Sequence, residues 1–100
     1  MQTLQNKVDS MYSGNIEAIL SAVSSSNDYL IMNAILCGAK LKLKDKGFIA
    51  GVEKARNNEA ILLGFPLKSI AEAAFHFIKG TKYEGNEDLV KTLIKNEFNI

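Results

Sequence analysis

His76 and Cys37 are the single histidine and the single cysteine of this 100-residue sequence, and each raises a chemical question. Glu72 stands one helical turn before His76 and Lys79 one turn after it. A carboxylate at that distance could orient the imidazole as a general base. The same spacing is what a charged helix surface uses for side-chain pairs. No nucleophile or oxyanion donor is identifiable beside His76, so the surface role is the better reading. Cys37 would need a nearby cation or a helix N-terminus to act as a nucleophile. It falls mid-helix instead, where a structural thiol is expected. One cysteine excludes an internal disulfide, and one cysteine with one histidine excludes an internally complete Cys/His zinc site.

Three carboxylates, Glu84, Glu87 and Asp88, cluster near the start of a late helix. Oxygen ligands suit calcium or magnesium, but the spacing matches no calcium loop. Acidic residues in a first helical turn already favour the helix dipole, so capping is preferred to metal binding. No metal and no cofactor are expected. Lys40, Lys42, Lys44 and Lys46 form a short basic run that reads as a solvated joint rather than a phosphate site. Tyr12, Tyr29 and Tyr83 fall at helix ends, where an aromatic serves equally as an interface anchor or as a staple closing a turn. Phosphate-binding glycine loops, the nucleophile elbow and the HExxH zinc motif are all missing from the sequence.

The elements that must position these residues are helical. Apolar residues recur at helical spacing almost throughout, and helices are expected over 3–12, 16–24, 29–42, 46–57, 66–79 and 87–98. Ser13 or Asn15, Asn27 or Asp28, Asp45 and Asn86 are suited to cap helix starts. Pro66 suits a first turn, and Gly80 a position just past a helix end. Residues 59–65 read either as an extra helical turn or as a packed loop. No segment alternates with period two over a useful length, so no sheet is expected. Hydrophobic residues make up 47% of the chain, enough for the core of one small domain. Charges nearly cancel, 12 Lys+Arg against 11 Asp+Glu, so neither nucleic acid nor an anionic membrane is expected as a partner. No apolar run approaches a membrane span and the first residues carry no secretory pattern, so the cytoplasm is the expected compartment.

The sequence also repeats. Residues 31–40 (IMNAILCGAK) align with residues 70–79 (IAEAAFHFIK), with large, small and polar positions in the same columns. The polar stripe Asn33, Cys37, Lys40 falls over Glu72, His76, Lys79. Further on, Phe48, Ile49 and Val52 fall over Leu89, Val90 and Leu93 after a slightly longer loop. Small residues at Ala34, Gly38, Ala71, Ala73 and Ala74 would let neighbouring helices approach closely. Two helices in a repeat of about 40 residues is the pattern of HEAT and armadillo proteins. On residues 63–78 (LGFPLKSIAEAAFHFI) and Tyr83-Glu84-Gly85-Asn86, the chain resembles a small bacterial HEAT-like helical-repeat protein.

That resemblance implies an all-α fold, a short α–α superhelix of about six helices in three hairpins (3–25, 28–57 and 66–98) forming a single domain. It further implies a non-catalytic protein-binding module, similar to the immunity proteins of contact-dependent and polymorphic toxin systems. The expected partner is a cognate protein toxin, a nuclease whose active site is occluded in a one-to-one complex. The expected contact residues are Tyr83, Glu84, Asn86, Glu87 and Asp88, followed by Glu17, Asp45 and Glu53 from the even-numbered helices. The alternatives are a generic HEAT-like adaptor and a small enzyme using His76 and Glu72. Exposed Lys91, Lys95 and Asn96 on the last helix argue against open-ended self-association.

Overall fold

The computed structural model describes residues 3–62 and 64–80. Five helices account for most of them: α1 (Leu4–Tyr12), α2 (Ile16–Val23), α3 (Asp28–Lys40), α4 (Lys46–Ala55) and α5 (Leu67–Lys79). The sixth expected helix and its cap, Asn86, lie outside the described residues. Four helix starts are closed by a side chain accepting from an orphan backbone N–H. Thr3 Oγ1 accepts from Asn6 N, Asn15 Oδ1 from Ala18 N, and Asn27 Oδ1 from Leu30 N, each at 3.1 Å. Asp45 Oδ1 accepts from Gly47 N and Phe48 N at 2.8 and 3.2 Å. The fifth helix starts without a side-chain cap, directly after Pro66, whose ring presets a φ of −67°. It stops at Gly80, where φ is +75°, a conformation that glycine adopts without steric cost.

The stretch before α5 is neither an extra helical turn nor wholly irregular. Strands β1 (Ile61–Leu62) and β2 (Phe65–Pro66) pair antiparallel, Ile61 with Pro66 and Leu62 with Phe65, which corrects the expectation of no sheet. The ladder is too short for period-two patterning to register. It continues into α5 through Leu67 N donating to Ala60 O at 2.9 Å. Asn58 anchors its near side, donating to Asp28 Oδ1 and accepting from Ala60 N, both at 2.9 Å.

The helices α1, α3 and α5 pack side by side in that order, α2 meets α4, and α3 touches each of the other four. This central place explains why α3 is buried from Leu30 to Ala39 without a break. Two glycines set the closest approaches. A Cβ on Gly38 would sit 2.2 Å from the Phe48 ring, and one on Gly51 would sit 2.7 Å from Val23 Cγ2. Phe48 is fully buried, so its ring cannot swing aside without opening the core.

Gly38→Ala therefore destabilises the fold by about 1–3 kcal/mol through overpacking, despite the better helix propensity of alanine. The effect is read as a lowered urea midpoint. In a Phe48→Leu background, which removes the ring atoms that clash, the same change costs measurably less. Equal costs in both backgrounds would refute the contact.

Candidate functional site

A densely interacting polar group lies where the end of α4 meets the outer face of α5. Glu72, Phe75, His76 and Lys79 follow one another at i, i+3, i+4 and i+7, so helical geometry places them on one face. They are half-buried or exposed, while Ala71, Ala73, Ala74 and Ile78 face the core. Arg56, the residue that closes α4, reaches across to this face. Its Nε donates to Glu72 Oε2 at 2.6 Å and its Nη2 to Glu72 Oε1 at 3.1 Å. This two-pronged pairing suits the planar fork of guanidinium. The same guanidinium carbon lies 4.5 Å from the centre of the Phe75 ring, and Lys79 Nζ lies 4.8 Å from it. His76 Nε2 is 3.2 Å from Glu72 Oε1, and its ring stands edge-on to Phe75 with centroids 6.0 Å apart.

Electrostatics follow from these contacts. Burial alone would raise the Glu72 pKa, but hydrogen bonding and charge from Arg56, then from His76, outweigh it and hold the carboxyl below its ordinary value. An ionised carboxylate only accepts, so the His76 nitrogen facing it must carry the proton. Chemically, the cluster keeps a carboxylate ionised and a guanidinium fixed over an aromatic ring.

Other expected residues are placed separately. Glu17 is exposed in the first turn of α2 and lines a cleft of about 290 Å³ with Lys7 and Ser21. Asp45 is engaged as the cap of α4, and Glu53 is exposed late in α4. No hydrogen bond or ion pair among the described residues joins these three. Tyr83, Glu84, Asn86, Glu87 and Asp88 lie outside the described residues.

The buried thiol of Cys37 sits on α3 against α1, beside Met11, Tyr12 and Leu41. Tyr12 Oη donates to Asn33 Oδ1 at 3.0 Å and Asn33 Nδ2 donates to Tyr29 O at 2.9 Å. The Tyr12 hydroxyl thereby ties α1 to α3, while the Tyr29 carbonyl holds the Asn33 amide within α3. The lysines Lys40, Lys42, Lys44 and Lys46 are all exposed, and Lys42, at a φ of +52°, carries its Nζ 5.1 Å above the Phe77 ring.

Arg56 is the site residue that sequence reasoning missed. It stands 16 positions from Glu72, and no local spacing links the two. The stripe of Glu72, His76 and Lys79 was legible, and Phe75 falls within it. Among the described residues no group of three or more His, Cys, Asp or Glu side chains is placed to hold a metal ion, and no helix is long and apolar enough to cross a membrane. Comparison with known proteins finds no family model, no curated protein and no solved structure that matches the chain.

A lowered carboxyl pKa contributes stability above the unfolded-state value of about 4.3, and that contribution disappears as pH falls through the folded value. Glu72→Gln should therefore lower stability at neutral pH and have little effect at about pH 3. The side chain of Glu72 is 37% exposed, so solvent screening keeps its contribution to about 1 kcal/mol or less. Urea unfolding of both proteins at the two pH values checks this. A difference independent of pH would contradict it.

Proposed function

We propose that this chain is a non-catalytic protein-binding module, an immunity protein that neutralises a cognate bacterial toxin by covering its active site. Its architecture in this reading is a short α–α superhelix of the HEAT or armadillo kind, six helices in three hairpins, with the sixth helix formed by residues 87–98. The observation that carries the reading is the match between α3 and α5. Each has 13 residues, and both ends are displaced by 39 positions. The two pack directly on one another, with α1 on the other side of α3. Side-by-side stacking of equivalent helices produces a continuous surface of the kind repeat proteins use to bind other proteins.

In this mechanism the toxin is a nuclease, and acidic groups of the module meet its basic cleft in a cytoplasmic one-to-one complex. Tyr83, Glu84, Asn86, Glu87 and Asp88 form the contact group, with Glu17, Asp45 and Glu53 as secondary contacts. The pairing of Glu72 with Arg56 engages the carboxylate that the alternative, a small enzyme using His76 and Glu72, would need free, and so supports the binding role.

The test is co-expression with the C-terminal domain of the protein encoded immediately upstream. The expected result is a stable complex and loss of that domain's toxicity. No toxicity and no complex would overturn the immunity reading and leave a general adaptor. Within a complex, reversing the charges of Glu84, Glu87 and Asp88 together should weaken binding at least about tenfold. Unchanged affinity would reject that patch.

A further inference from the structure

We infer that the Arg56–Phe75–Lys79 face, where α4 ends on α5, is a docking surface for an acidic, apolar-interleaved segment of a protein partner. The inference holds whether or not that partner is a toxin. Arg56 is already immobilised by Glu72 and by the Phe75 ring, so little side-chain freedom remains to be lost on binding. Two of the five guanidinium N–H donors go to Glu72, and three remain for an incoming acceptor. Lys79 is exposed, lies over the same ring and has no carboxylate within 4.0 Å among the described residues.

Among the described residues Glu72 is the one carboxylate of this face and is satisfied from within it, so the donors left over suit carboxylates from a partner. Phe75 is half-exposed between the two cations and offers an apolar contact of the kind found at interface hot spots. Lys42 and Phe77 belong to a different surface, because two residues along a helix turns the side chain about 200° away.

A protein is favoured over nucleic acid for two reasons. Two cations already lie against the Phe75 ring, so a stacking base would compete with them for it. The chain's net charge of +1 also provides no general basic field for a phosphate backbone.

Fluorescence anisotropy with a short labelled peptide alternating glutamate and leucine tests the surface on the full chain. Lys79→Glu, at an exposed position that leaves the core untouched, and Arg56→Gln should each weaken binding about tenfold. Lys68→Glu, exposed at the opposite end of α5, should leave binding unchanged. Absence of peptide binding, or wild-type affinity in Lys79→Glu, would overturn the inference. So would an equal loss in Lys68→Glu, which would mean diffuse charge attraction. Tighter binding of a single-stranded oligonucleotide of the same charge would overturn it in favour of nucleic acid.

Discussion

The closeness of α3 to its four neighbours is the constraint on which the rest of the structure depends. A helix surrounded on all sides can carry little bulk where another helix crosses it. Gly38 meets that condition by leaving room for the Phe48 ring, and Gly51 does the same for Val23 between α4 and α2. Ala34 and Ala39 are fully buried on α3, as are Ala71 and Ala74 on α5. Close approach lets short helices share one core, since a helix of 8 or 9 residues is unstable by itself in water. Burial of Phe48 alone contributes about 1.5–3 kcal/mol of the hydrophobic driving force.

Burial of α3 also decides what its polar residues can do. Asn33 is 5% exposed, yet its carboxamide both accepts from Tyr12 and donates to the Tyr29 carbonyl. A buried amide left unpaired would cost several kcal/mol, so this network fixes how α1 sits on α3. The equivalent position on α5 is Glu72, which is half-exposed and charged and meets Arg56 instead. The same column of the two aligned helices thus gives a structural amide on α3 and an ion-paired carboxylate on α5. The difference is one of environment, because a charge could not take the place of Asn33 without a partner to offset its desolvation.

A similar contrast separates His76 from Cys37, its counterpart on α3. Cys37 is sealed between α1 and α3, and His76 lies against a carboxylate already gripped by a guanidinium. Two residue types that suggest catalysis when met in a sequence are here held in packing and in a hydrogen-bonded cluster. The face that includes His76 also carries the Arg56 guanidinium and the Phe75 ring.

How much was legible follows the range of each interaction. Helix positions, the cap Asp45, the start at Pro66 and the stop at Gly80 follow from residues a few positions apart, so the sequence by itself determined them, whereas the structure chose Asn15 over Ser13 and Asn27 over Asp28 as caps. The match between α3 and α5 was readable for the same reason, since equal helices carry equal patterns of large and small residues. Tertiary structure alone decided the pairing of Arg56 with Glu72, the fit of Phe48 over Gly38 and the link from Asn58 to Asp28. It also decided the two-residue ladder of β1 and β2, too short to impose an alternation on the sequence. The three side-chain contacts join residues 10 to 30 positions apart, and no local spacing encodes which distant partner a side chain will meet once the helices close on one another.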